Sequence, residues 1–418
     1  MTADWAWRPA PGAAALLRGG ASDGLVKAVA CFAGDGAVFV GWESGALRAY
    51  RSSGELERTL LGHDGACLCL LIHGGALISG GFDRRVKLWS LAPGRGTPGG
   101  WGTWLRDIRG HHAAVKQLCP GGVGRVWSLS EDRTLRCWRM SDGVMVLLIR
   151  AVEHLMLTAG VSLGVPHAYA AVAESAVISV YRAADGARTT QLVGHAGVVW
   201  AVLVRGERVY SGAEDGCVRA WNPRSGACTL AMRGHSRRVT QLALSHDGGR
   251  LYSGAGDGCV RAWCTTSGEC QLIMMAQGAV RALALSHDGA LLFAGGGADG
   301  VTRQWATADG ALLREHAGHA DDVHVLSLSP ATGQLWTGSY DGDARGWLVQ
   351  PPAQWRRGNN HLWPVAFRDA ARALLLAVHT RRDGCAVNAL MTLGAATCDG
   401  LLDAILRALA ATVERLPA

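Results

Sequence analysis

Between residues 193 and 263 apolar positions come in short alternating runs, interrupted by turn residues at regular intervals. Val239, Leu242 and Leu244 mark one run, which breaks at His246-Asp247-Gly248-Gly249. Leu251-Tyr252-Ser253 forms a second, and Gly256-Asp257-Gly258 leads into a third at Val260-Arg261-Ala262-Trp263. Runs this short, with a period near two, predict antiparallel strands rather than helices. The Asp-Gly pairs predict tight hairpins, because glycine adopts the positive φ such turns require. A fourth strand is predicted around Cys270 to Met274.

The same succession precedes this one. Gly194-His195 recurs as Gly234-His235, Asp215-Gly216 as Asp257-Gly258, and Trp221 as Trp263, 42 residues later. Self-similarity at a fixed period of this size marks a repeat architecture. The repeat extends over the chain, with third-strand markers at Tyr50, Trp89, Trp138, Tyr181, Trp221, Trp263, Trp305 and Trp347. The first unit has Val40 where Ser is expected and Ser44 where Asp is expected. The fourth, about Ile149 to Tyr181, lacks Gly-His and has Ser175 at the Asp position. The seventh keeps Asp299 and Trp305 but has Ala276 at the His position and Gly295 at the Ser position. Ala92 to Trp104, rich in Gly and Pro, reads as a long loop between strands.

The ends read differently. Residues 1–12 form an N-terminal arm and Ala13 to Arg18 a strand, so the repeats occupy residues 13–350. Residues 351–398 read as a decayed ninth unit or an extension, with candidate strands at Trp363 to Phe367, Ala373 to Val378 and Cys385 to Leu390. In residues 399–418, apolar positions at 402, 405, 409, 413 and 416 form one stripe of a helix.

Five units carry four polar positions able to bond to one another: His63, Ser79, Asp83 and Trp89; His111, Ser128, Asp132 and Trp138; His195, Ser211, Asp215 and Trp221; His235, Ser253, Asp257 and Trp263; His319, Thr337, Asp341 and Trp347. Each group needs a partner when buried, and a chain from Asp through His and the hydroxyl to Trp would satisfy all of them. These units resemble the WD-repeat (β-transducin-like) family. The resemblance implies that the four positions form a structural tetrad within a propeller blade. It implies an all-β propeller, expected to have eight blades with nine or seven as alternatives, and a short C-terminal helix. Stacking blades in a ring buries both faces of each sheet and removes exposed edges. Ala13 to Arg18 is expected to close the ring as the outer strand of the final blade.

Composition alters this picture little. The net charge of +7 is spread along the chain without a basic run interleaved with aromatics, so no nucleic-acid partner is indicated. The 12 Cys show neither CxxC nor Cys/His ligand spacing, and buried free thiols in a reducing, cytoplasmic setting are expected. No apolar run is long enough to span a membrane, and the first residues do not read as a signal or transit peptide. The sequence has no GxSxG elbow, phosphate loop or HExxH motif, and its His and Asp residues recur with the repeat. No catalytic residue, cofactor or metal is therefore expected.

The resemblance implies a scaffold or structural subunit that binds one or more proteins. The alternative is a substrate receptor of a cullin-type ubiquitin ligase, since Trp221-Asn222-Pro223-Arg224 is similar to the Trp-Asp-x-Arg box of such receptors, with Asn for Asp. Candidate binding residues are those that differ between equivalent loop positions. Phe82, Glu131, Glu214 and Tyr340 precede the blade Asp, and Asp64, His112, Arg237, Arg238, Asp321 and Asp322 follow the blade His. Phe82, Arg237, Arg238, Asp322 and Tyr340 are singled out, because aromatic and Arg side chains dominate interface hot spots.

Overall fold

The computed structural model describes residues 15–18, 22–60, 62–91, 103–150, 156–161, 169–297 and 299–349. The chain divides into two compact units, Met1–Val349 and Gln350–Ala418, and the described residues lie in the first. The candidate ninth unit, the C-terminal helix and the N-terminal arm lie outside the described residues.

The described residues form eight four-stranded antiparallel sheets. The sixth is representative: Val239–Leu244, Arg250–Ala255, Cys259–Cys264 and Cys270–Met275 pair in sequence order. The innermost strand of each sheet touches the innermost strand of the next, and Val323–Leu328 of the eighth touches Val26–Cys31 of the first. The result is a closed ring of eight blades, in which the weakly marked first, fourth and seventh units each supply a complete sheet. The eighth blade takes its outer strand from the start of the chain: Ala15–Arg18 pairs with Asp343–Trp347, with Ala15 opposite Gly346 and Arg18 opposite Asp343. Joining the two ends of the repeat region in one sheet leaves no unpaired seam.

The hydrophobic core lies between blades. Tyr252, Val260, Ala262 and Met274 of the sixth pack against Val280, Leu292 and Trp305 of the seventh. Sheets approach so closely that Gly254 has no room for a side chain, and a Cβ there would fall 2.4 Å from Val280 Cγ1. One expectation is corrected here. Trp104 belongs to the outer strand Thr103–Ile108 of the second blade, not to the loop before it. Its alternation was hidden by the preceding Gly/Pro-rich residues.

Each innermost strand also carries a β-bulge near its start, a feature the sequence pattern did not reveal. The register slips between Val26 and Ala28, Cys67 and Cys69, Val115 and Gln117, Met156 and Thr158, Val199 and Ala201, Val239 and Gln241, Val280 and Ala282, and Val323 and Val325. The extra residues are Lys27, Leu68, Lys116, Leu157, Trp200, Thr240, Arg281 and His324. A bulge re-aims the side chain it carries.

Candidate interaction face and the polar clusters beneath it

Four tetrads close completely. In the sixth blade His235 Nδ1 lies 3.0 Å from Asp257 Oδ2 and Nε2 lies 2.7 Å from Ser253 Oγ, while Trp263 Nε1 donates to the same hydroxyl at 2.8 Å. The third blade repeats this at 2.8, 2.7 and 2.7 Å with His111, Asp132, Ser128 and Trp138. The fifth does so at 3.0, 2.7 and 2.8 Å with His195, Asp215, Ser211 and Trp221. The eighth does so at 2.8, 2.7 and 2.9 Å with His319, Asp341, Thr337 and Trp347. The indole can only donate, so the hydroxyl accepts from Trp, and the carboxylate can only accept, so His Nδ1 carries a proton toward it while Nε2 meets the hydroxyl. Each Asp also accepts backbone N–H groups at the turn, as Asp257 does from Ser236 and Cys259 at 3.0 Å each.

The titration behaviour follows from this geometry. Burial pushes His111, His195 and His235 below their ordinary value, more than the neighbouring carboxylate raises them. Burial acts in the opposite sense on Asp83, Asp132, Asp215, Asp257 and Asp341. There the hydrogen bonds from His and the turn outweigh it and hold the carboxyls below the usual range. Such groups hold shape rather than exchange protons near neutral pH.

The second blade departs from the expected tetrad. His63 bonds to Asp83 at 2.8 Å and to Ser79 at 2.5 Å, but the buried Trp89 Nε1 has no partner among the described residues. Two blades that lack the tetrad close by another route. In the seventh, the buried Arg303 donates Nη1 to the Ala276 carbonyl, Nη2 to Asp299 at 2.9 Å and Nε to Glu315 at 2.8 Å. In the first, Arg48 pairs with the buried Asp23 at 2.6 Å, and Ser44 Oγ donates to the same carboxylate at 3.1 Å. Residue type alone does not foretell this, because Arg occupies the same third-strand position in complete units too.

Above these clusters lies one end of the ring. In every blade the loop entering the first strand and the turn joining the second to the third strand fall at the same end of the sheet. Phe82, Arg237, Arg238, Asp322 and Tyr340 therefore share one face. Phe82 is 61% exposed, and both Arg residues are exposed. The other two are less free than their loop positions suggest. Asp322 is paired with Arg281 at 2.6 Å, and Tyr340 stacks on His324 at 4.1 Å between ring centroids.

The bulge residues belong to the same face. Three of them meet the residue that precedes the turn Asp, or its substitute, of their own blade. Lys27 pairs with Glu43 at 3.5 Å, Lys116 with Glu131 at 2.9 Å, and His324 with Tyr340. Trp200, 41% exposed, instead carries Arg238 over its ring at 5.3 Å. Among the described residues no group of three or more His, Cys, Asp or Glu is placed to hold a metal ion. Arg224 of the Trp-Asn-Pro-Arg segment is paired with Glu207, and its backbone N–H is capped by Asn222 Oδ1 at 2.9 Å.

Eight radially stacked four-stranded sheets pinned by His–Ser–Asp–Trp clusters define a WD40-repeat β-propeller. The chain has this fold. The family model described as WD domain, G-beta repeat matches residues 54–90, 186–222, 226–264 and 268–306. The last three segments each run from one blade's outer strand through the next blade's third strand, so the sequence repeat is offset from the sheet by one strand.

Among curated proteins the chain is similar to the WD repeat-containing protein pop2 of Schizosaccharomyces pombe, 24% identical over 212 residues, covering 47% of this chain and 26% of that protein. It is also similar to the p21-activated protein kinase-interacting protein 1-like of Danio rerio, 26% identical over 184 residues, covering 43% and 46%. It thus spans less than half the length of either relative. Among solved structures, the computationally designed Ika8 protein superposes with a TM-score of 0.69 at 24% identity, covering 81% of this chain and all of that one. Saccharomyces cerevisiae Sqt1 superposes at 0.70 with 14% identity, covering 82% of this chain and all of that one.

Proposed function

We propose that the chain is a non-catalytic scaffold that docks a protein partner on the face carrying Phe82, Arg237, Arg238, Asp322 and Tyr340. The observation that carries this reading is a division of labour among residues. Those that recur from blade to blade are buried and spent on one another, while those that vary at equivalent loop positions lie at one end of the ring, Phe82, Arg237 and Arg238 exposed and Asp322 and Tyr340 half-buried. A rigid, pre-formed face with aromatic and Arg anchors amid both charge signs suits a polar interface with a few hot spots. Buried thiols such as Cys67 and Cys119, which burial raises well above the ordinary value, fit a reducing cytoplasmic setting. The ubiquitin-ligase reading has no comparable support, since Arg224 serves its own blade.

The test compares partner recovery by the full chain and by a variant combining Phe82→Ala, Arg237→Ala and Tyr340→Ala. The expected outcome is loss of co-purifying protein with the melting temperature nearly unchanged. Retention of the same proteins by the variant places docking elsewhere, and a collapse in stability makes the three residues architectural.

A further inference from the structure

The geometry points to a notch over the sixth blade that receives an acidic side chain, flanked by an apolar one, from an extended protein segment. The inference rests on the reading of this face as a docking surface and adds the chemistry of what docks.

The face is built from paired positions, one on the bulge and one before the turn Asp. In the first, third and eighth blades the pair is filled by Lys27 and Glu43, Lys116 and Glu131, and His324 and Tyr340. In the second it is Leu68 and Phe82, and in the fifth Trp200 and Glu214. In the sixth it is Thr240 and Gly256, two small residues. Thr240 is also spent internally, donating its hydroxyl to the Val280 carbonyl at 2.5 Å and to that of Gly254 at 3.1 Å. Gly256 is not there for conformational reasons. Its backbone is not left-handed, and a Cβ would make ordinary contact with Arg237 Cβ and Arg238 Cγ, each at 3.6 Å. The position that holds an aromatic ring or a carboxylate in the first, second, third, fifth and eighth blades is here an opening floored by the stems of two arginines.

The walls set the chemistry. Neither Arg237 nor Arg238 forms an ion pair among the described residues, whereas Lys27, Lys116 and Arg281 on the same face are each matched by a carboxylate. Arg238 lies on the Trp200 ring, which stays 41% exposed, and Arg237, its neighbour in sequence, is exposed. Two cations without carboxylate partners call for an acid, and Arg offers it a two-pronged donor set. The adjoining indole offers flat apolar surface at low entropic cost.

The test uses the full chain and a random peptide library, with binding of the enriched peptides measured on four proteins: wild type, Gly256→Tyr, Arg237→Glu, and the double variant Phe82→Ala/Tyr340→Ala. Gly256→Tyr fills the opening with a side chain that the eighth blade already carries at this place, and it is expected to melt with wild type. The expected result is enrichment of peptides with Asp or Glu beside an apolar residue, and a tenfold or greater loss of their binding to both Gly256→Tyr and Arg237→Glu. Peptides without an acid, or binding undiminished by Gly256→Tyr, overturn the notch. If Gly256→Tyr binds as wild type while Phe82→Ala/Tyr340→Ala does not, the face is still a docking surface and only the notch falls. If none of the variants matters, both readings fall.

Discussion

Replacing Asp257 by alanine lowers the unfolding free energy by about 3 kcal/mol, read from urea denaturation at neutral pH. The carboxylate accepts from His235 and from the backbone N–H groups of Ser236 and Cys259. Its removal strands three donors in a region where the His235 side chain is fully buried. Asp257→Asn keeps one acceptor oxygen and is expected to lose about half as much.

The pH dependence carries a sign that can be checked. Burial holds His235 below its ordinary 6.5, so as pH falls through 6.5 the unfolded chain takes up a proton that the folded one refuses, and stability declines. Asp257 is held below its ordinary 3.8 by its donors despite burial, so its contribution is present above 3.8 and is lost as pH falls through the lower folded value. The gap between wild type and Asp257→Ala should therefore narrow below about pH 4. A gap that stays constant into strong acid means that the carboxylate is not what holds the blade.

Arg303→Ala is expected to cost about 2–3 kcal/mol, whereas the same change at Arg261 costs about 1 kcal/mol or less. The two arginines occupy the same third-strand position in neighbouring blades. Arg261 lies beside a complete tetrad, and its Nε has no partner among the described residues. Arg303, only 4% exposed as a side chain, binds Asp299, Glu315 and the Ala276 carbonyl where His and Ser are missing. The carboxylates of Asp299 and Glu315 are 34% and 45% exposed, so they can turn to water once Arg303 is gone. That keeps the cost below that of breaking a fully buried pair. Urea titrations of the two variants side by side decide the matter, and equal losses would show that Arg303 has no special role.

These cases show where sequence reading succeeds and where it stops. The strands, the ring-closing segment and the tetrads follow from periodicities and residue types that depend only on local chemistry: alternation, Asp-Gly turns, and four polar groups that need one another. The Arg303 clasp depends instead on what its neighbours lack: Ala276 stands at the His position, and the Ser position is Ala294, not Gly295 as spacing suggested, since the register sets Ala294 opposite Leu283 and Arg303 as it sets Ser253 opposite Leu242 and Arg261. An arginine that looks the same in Arg48, Arg136, Arg219, Arg261 and Arg345 cannot announce this. Trp89 has its Ser and His in place, yet its indole N–H meets no partner among the described residues, a matter of ångströms rather than of residue type. The bulges escaped for a similar reason. One extra residue in a short strand leaves the apolar pattern readable while turning Lys27, Trp200 and His324 onto the face proposed for docking.

Hydrogen exchange of the full chain, alone and saturated with a recovered partner, tests most directly the claim that repeated residues build the ring while varied ones recruit. The inner strands of the fifth and sixth blades should be strongly protected in both states. Added protection on binding should fall on residues 82–85, 236–238, 256–258 and 340–342, the loops of one end of the ring. Added protection confined to the opposite-end turns, such as residues 246–249, or to outer strands such as Cys270–Met275, would contradict the account.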